Sequence, residues 1–344
     1  MTVTSIFNLL AMLVTLATVF GYINFRWLKL PHTIGIVLIA LTVSVTILIS
    51  DRIFPALEFE AAVRGLLIEI DFEETLMKGL LSFLLFAGAL HVDLGTLLSR
   101  RWAILTMATA GVVISTLIVA ALMFVCFKTF GLQIPLGYCL VFGALISPTD
   151  PVAVIGILKT VKIPETLKAK ISGESLFNDG TAVALFMVVL AVASAGAFDA
   201  STLVEGVGMF LSMLIGGIIL GLLMSALFYR AIRAARSNEF VVVTLLIISA
   251  HLVFVTSEAL NEFGLFGLQL HISSIIATTV AALFLGNYAR HTLSPRTDEY
   301  LSKSIEHLAF IANSLVFILA GILFASLDVN FGELWLPILV TMVV

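Results

Sequence analysis

Two short stretches hold residue types that a membrane-spanning helix avoids. The first, "ISPTDPVAVIG", covers residues 146 to 156, and the second, "GESLFNDGTAVALF", covers residues 173 to 186. They place three carboxylates, Asp150, Glu174 and Asp179, inside apolar runs. A carboxylate in hydrocarbon costs several kcal/mol, and such residues usually mark ion or proton pathways. A single acid is often only a satisfied group that caps a neighbouring helix. Three acids so close together, among Ser, Thr and Asn, favour an ion site.

In the first stretch Pro148 and Pro151 bracket Thr149 and Asp150. Proline has no N–H to donate and clashes with the carbonyl four residues back. It also pushes the residue before it toward extended geometry, and both Ser147 and Asp150 precede a proline. The helix is therefore expected to unwind here, which frees carbonyls and half-helix ends of the kind that line mid-membrane ion sites. A plain proline kink is the blander reading. In the second stretch Ser175 and Asp179 are four residues apart and share a helix face. Glu174 and Asn178 form a second pair, rotated by about 100°. One stripe can face an ion while the other packs into the protein. Hard oxygen donors of this type suit a small cation such as Na+. No His/Cys cluster suggests a transition metal. His91 and Asp93, in "GALHVDLG", read as groups near a span end, and "GGIILG" at 216–221 reads as close helix packing rather than a phosphate cradle.

These residues need elements to hold them. Apolar runs of roughly 17–25 residues are candidate spanning helices. Eleven are expected: about 6–25, 33–50, 79–97, 103–127, 137–158, 170–195, 203–228, 240–257, 271–287, 307–326 and 334–344. The acidic segment from Asp51 to Lys78 is expected at a surface. None of Met1 to Ser5 is charged, so the first run reads as a retained helix and not a signal peptide. The eleventh run, "LWLPILVTMVV", stops at Val344 after about half a bilayer at ~1.5 Å per residue, as though the chain were cut within a helix.

Loop charge sets an orientation. One alternate set of loops holds Arg26 and Lys29; Arg100 and Arg101; Lys159, Lys162, Lys168 and Lys170; Arg230, Arg233 and Arg236; Arg290, Arg296 and Lys303. The opposite set holds only Arg52, Arg64, Lys78 and Lys128. Positive-inside bias puts the richer set in the cytoplasm and the N-terminus outside.

Composition agrees with a polytopic membrane protein. The chain is 60% hydrophobic and 12% charged, against roughly a quarter charged in soluble domains. Its mean hydropathy is +1.16. A net charge of −4 without basic clusters gives no footprint for nucleic acid. Cys126 and Cys139 fit neither a disulfide framework nor a metal pattern and read as packing residues.

"SPTDPVAV" followed about 25 residues later by "GESLFNDGTAV" strongly resembles the monovalent cation:proton antiporter family, the NhaP/NHE-type sodium/proton exchangers. "TIGIVLIAL", "LLSFLLFAGALHVDL" and "FILAGILF" are similar to other segments of that family. The resemblance implies an all-α antiporter fold with inverted repeats and discontinuous crossing helices. About thirteen spans are implied, of which about eleven lie in this chain as one transmembrane exchanger domain over 1–344, with core-type helices at about 79–195. It implies Asp179 as the principal cation- and proton-binding carboxylate. Asp150, Ser175 and Thr149 would complete the Na+ site, with Asn178, Glu174, Pro148 and Pro151 in support. It implies an Arg partner for Glu174 on the continuation of the eleventh span, so Glu174 is expected to face away from Asp179. No cofactor is expected, since Na+ and H+ are the cargo. The implied setting is a homodimer in the cell membrane, acting in pH regulation. The implied cycle has Na+ and a proton competing at one shielded carboxylate and, with Asn beside Asp, is electroneutral. K+/H+ exchange on the same scaffold is the nearest alternative. An intramembrane aspartyl protease using Asp150 and Asp179 lacks the Gly-x-Gly-Asp stretch, and a cation channel would need no counter-ion.

Overall fold

The computed structural model describes residues 3–54, 65, 79–149, 164–195, 200–264, 270–326 and 331–343. Every regular element among them is helical. Long apolar runs leave the backbone no water partner in a bilayer, so its hydrogen bonds must close within each segment. The helices are α1 (Val3–Ile23), α2 (His32–Ile53), α3 (Ser82–Leu90), α4 (Leu94–Ser99), α5 (Arg101–Thr106), α6 (Val112–Thr129), α7 (Leu136–Ile146), α8 (Glu165–Ala195), α9 (Ala200–Ala234), α10 (Glu239–Phe263), α11 (Ser274–Phe284), α12 (Pro295–Ser326) and α13 (Phe331–Val343). Short π-helical turns extend α1 over Asn24–Leu28, join α5 to α6 over Met107–Gly111 and extend α11 over Leu285–Ala289.

Among the described residues seven helices are long and apolar enough to cross a membrane: Leu10–Leu28, His32–Asp51, Arg101–Thr129, Lys170–Ser194, Val204–Ala234, Glu239–Phe263 and Pro295–Leu323. Each overlaps an expected span. Gly79–Leu90 and Leu136–Ile146 are apolar but shorter. The expected span at 79–97 is not continuous. After α3 the chain turns at Val92, and Asp93 caps α4 by accepting from Thr96 N at 2.6 Å. Asn287 clamps the break: its Nδ2 donates to Val92 O at 2.8 Å and its Oδ1 accepts from Leu94 N at 2.9 Å. Gly286 permits this approach, because a Cβ there would lie 2.2 Å from Leu90 O. Apolar composition alone reads through the break, since its clamp sits almost 200 residues away in sequence. Residues 55–64 and 66–78, most of the acidic segment expected at a surface, lie outside the described residues.

Two compact units emerge, Met1–Leu84 with Glu299–Val329, and Leu85–Asp298 with Asn330–Val344. In the first, Leu13, Ala17 and Phe20 of α1 pack with Ile36, Ile39 and Ala40 of α2 and with Leu315, Ile318 and Leu319 of α12. Ser44 Oγ donates to Gly321 O at 2.5 Å in the same seam. In the second unit α8 is the central helix. It packs against α7, α9 and α11, and Gly173 faces Leu97 and Ile104. Gly217 and Gly221 of α9 bring that helix onto α11, where a Cβ at Gly221 would lie 2.5 Å from Ala277 O. The "GGIILG" run is thus a packing surface. Cys139 packs with Ala120, Met123, Phe127 and Val340, and Cys126 lies at its edge. Both cysteines are free.

Candidate functional site

α7 stops where the prolines require it. Ser147 N makes the last helical bond, to Gly143 O at 3.1 Å, and residues Ser147, Pro148 and Thr149 leave the helix. Asp150 and Pro151 lie outside the described residues. The helix end is pinned to α6. Gly143 lies against Thr116, where a Cβ would fall 2.6 Å from Thr116 O. Thr116 Oγ1 donates to Ser147 Oγ at 3.1 Å, and Ser147 Oγ donates to Gly143 O at 2.6 Å. These bonds absorb polar groups that unwinding would otherwise strand in an apolar setting.

The unwound turn meets α8 through three side chains. Thr149 Oγ1 donates to the Glu174 carboxylate, 3.1 Å from Oε2 and 3.2 Å from Oε1. Asn178 Nδ2 donates to Glu174 Oε1 at 2.8 Å and to Thr149 Oγ1 at 2.9 Å, with Thr149 O farther off at 3.3 Å. An amide nitrogen carries two protons, so the two shorter bonds use both. The opposite amide orientation would set Oδ1 against the carboxylate, acceptor on acceptor. Asn178 is fully buried, and its Oδ1 has no donor within reach among the described residues. Thr149 and Asn178 both donate to Glu174, and Asn178 donates to Thr149 as well.

One turn of α8 therefore carries two stripes. Ser175, 4% exposed, and half-buried Asp179 lie on one, and Glu174 and Asn178 on the other. Spacing left open which stripe faces the unwound turn, and Thr149 touches the Glu174–Asn178 stripe. Glu174 takes its bonds from Thr149, an expected site residue, and from Asn178, an expected supporting one. The reason is local. Residue i+4 lies one turn above residue i, so Asn178 stands over Glu174, and the non-helical Thr149 supplies a hydroxyl that no continuous helix could aim there. Next to Asp179, Gly180 lets α8 close on α11, since a Cβ there would lie 2.5 Å from Ile276 Cγ1.

His91 is exposed, with Nδ1 3.2 Å from Ala87 O, and stands beside the α3–α4 break. Asp93 serves as a helix cap. The Thr96 hydroxyl and then its backbone N–H hold the Asp93 carboxyl below its usual range. Sequence reasoning missed Asn287 and Gly286, which shape this break. Among the described residues no group of three His, Cys, Asp or Glu side chains could hold a metal ion.

A many-span helical protein with an interrupted helix fastened beside a carboxylate-bearing span has the architecture of a secondary transporter. The chain belongs to the sodium/hydrogen exchanger transmembrane family, whose model matches residues 14–344. It is 40% identical over 318 residues to the Na+/H+ antiporter NhaP of Pseudomonas aeruginosa, covering 92% of this chain and 71% of that protein. It is 29% identical over 324 residues to the Na+/H+ antiporter NhaH of Halobacillus dabanensis, covering 92% of this chain and 74% of that protein. The fold matches that of the sodium proton antiporter MjNhaP1 from Methanocaldococcus jannaschii at pH 8, with a TM-score of 0.73 at 19% identity over 99% of this chain and 75% of the other. These relatives are named as transporters, not enzymes.

Proposed function

We propose that this protein exchanges Na+ for H+ across the cell membrane, with the N-terminus outside and the working unit a homodimer. Asp179 is the carboxylate at which Na+ and a proton compete. Asp150, Ser175 and Thr149 complete the cation site. If only the neutralised site crosses the barrier, one ion cannot move without the return of the other, and transport is coupled by alternating access.

The observation that carries this reading is the triangle of Thr149, Glu174 and Asn178, because it ties the unwound segment to the helix that bears Asp179. It fixes Thr149 against α8. It also commits both amide protons of Asn178, so the buried Oδ1 is left as an acceptor toward a cation. Asn178 carries no charge to give up, which leaves one titrating group in the Asn-Asp pair and one proton per Na+.

The test is reconstitution in proteoliposomes with an internal pH dye. Addition of Na+ should dissipate an imposed pH gradient, with K+ giving little response. A response to K+ alone would replace this reading with K+/H+ exchange. Cation flux without proton movement would replace it with a channel.

A further inference from the structure

Gly21, residues Asn24 to Arg26, Lys29, Leu30 and His32, at the junction of α1 and α2, join Phe310 of α12 around an open cavity of about 730 Å3. Among the described residues its lining holds Arg26, Lys29 and His32 and no acidic side chain. Neither Arg26 nor Lys29 has an acidic partner among the described residues. Two cations thus converge on one recess, with no acidic partner for either among the described residues.

The recess is a constructed feature and not a frayed helix end. Asn24, 5% exposed, ties off the turn: its Nδ2 donates to Leu30 O at 3.0 Å and its Oδ1 accepts from Leu30 N at 3.3 Å. Gly35 of α2 makes room, since a Cβ there would fall 2.1 Å from Asn24 Oδ1. Across the cavity the His32 ring stacks on Phe310 with centroids 4.2 Å apart, and Nε2 lies 2.9 Å from Ser314 Oγ. Ser314 spends its own proton on Phe310 O at 2.8 Å, so His32 Nε2 is the donor and the ring is fixed as a wall.

Lys29 gives an independent sign. Its φ is 55°, the one positive value among described non-glycine residues. That conformation disfavours any residue with a Cβ, and glycine would hold it freely. A lysine kept there points to a use for its side chain. Phe25 of the lining is 79% exposed, and Tyr22 and Trp27 of the same turn are 59% and 67% exposed, an aromatic set of the kind that sits at headgroup depth. The same turn belongs to the basic loop set that marks the cytoplasmic leaflet, where anionic lipids concentrate.

We propose that this cavity binds the phosphate of an anionic phospholipid headgroup. Arg26 and Lys29 are its cations, and Phe25, Leu30 and Phe310 flank the glycerol and the upper acyl chain. Guanidinium pairs with phosphate oxygens in a two-pronged geometry, while the lysine supplies a point charge. The site is independent of the exchange chemistry at Asp179.

The test uses the purified protein in neutral detergent micelles, with lipid binding followed by native mass spectrometry and by melting temperature. Phosphatidylglycerol should be retained and raise the melting temperature, while phosphatidylcholine should do neither. Arg26→Gln with Lys29→Gly should weaken phosphatidylglycerol binding about 25-fold, at roughly fivefold per cation. Lys29→Gly relieves the left-handed strain, so its melting temperature without lipid should not fall, which separates binding from folding. Arg100→Gln with Arg101→Gln, another basic pair of the same loop set, should leave the affinity within about twofold. Equal loss in that control pair, no loss in the Arg26/Lys29 variant, or equal binding of phosphatidylcholine would overturn the proposal. A melting shift given by inorganic phosphate alone would identify free phosphate as the ligand and overturn the lipid assignment.

Discussion

Replacing Asn178 with alanine removes the donor that joins Glu174 to the unwound turn. The two bonds lost, at 2.8 Å to Glu174 Oε1 and 2.9 Å to Thr149 Oγ1, come from a fully buried side chain. Side-chain hydrogen bonds within membrane proteins average ~0.6 kcal/mol and reach ~1.7 kcal/mol, and a carboxylate acceptor lies toward the upper end. The change should therefore cost about 2 kcal/mol. Glu174→Ala removes the acceptor of Asn178 and Thr149 and should cost about the same. Both single changes break the same Asn178–Glu174 bond and strand the group left behind. The double variant should consequently fall short of the sum by about 1 kcal/mol or more. Unfolding in mixed micelles, measured for wild type, both singles and the double, gives the coupling directly. Additivity within about 0.5 kcal/mol would show that the two side chains do not act as a unit, and the triangle would lose its role in fastening the turn.

Other outcomes follow from separate parts of the structure. Gly221→Val should lower folded yield by costing about 1–3 kcal/mol or more, because the added Cβ lies 2.5 Å from a backbone carbonyl that cannot swing aside; Gly208→Ala, with nothing within 4 Å, should be neutral or gain up to about 1 kcal/mol, and comparative melting separates the two. Asp93→Ala should lower the melting temperature at neutral pH. Since the Thr96 bonds depress the Asp93 carboxyl, its contribution is full above the ordinary carboxylate range and vanishes as pH falls through the lowered value, so the gap between wild type and variant should close in acid and a gap that widened there would contradict the cap. Exchange in vesicles should be indifferent to an imposed membrane potential, and a clear acceleration by either polarity would rule out one proton per Na+.

Much of this architecture is legible in the residues because the bilayer leaves few choices. A run such as 240–257 has to be a helix, and α10 covers it. The stop at Ile146 is equally legible, because Pro148 forbids the helical bonds that would continue α7. The break at Val92 was not, since it depends on Asn287 and on the absence of a side chain at Gly286, both far along the chain. Thr149, Glu174 and Asn178, which meet at the unwound turn, stand out in the sequence by residue type, and their grouping does so less. Spacing shows that Glu174 and Asn178 share a stripe, as do Ser175 and Asp179. It cannot show which stripe an unwound segment from another helix will touch, because the path of Ser147 to Thr149 is set by hydroxyl contacts with α6 rather than by any period. The α1–α2 recess was invisible for a similar reason: Arg26 and Lys29 read as loop charges until Asn24 and Gly35 fold the turn around them.

The central claim is that Asp179 is the group at which Na+ and the proton compete, and Asp179→Asn in proteoliposomes tests it most directly. The substitution preserves shape and some hydrogen bonding while removing the titrating charge. Na+-driven proton movement should disappear at every pH tested, with membrane insertion and melting temperature close to wild type. Robust pH-dependent Na+/H+ exchange by this variant would contradict the account and move the competing carboxylate to Glu174 or Asp150.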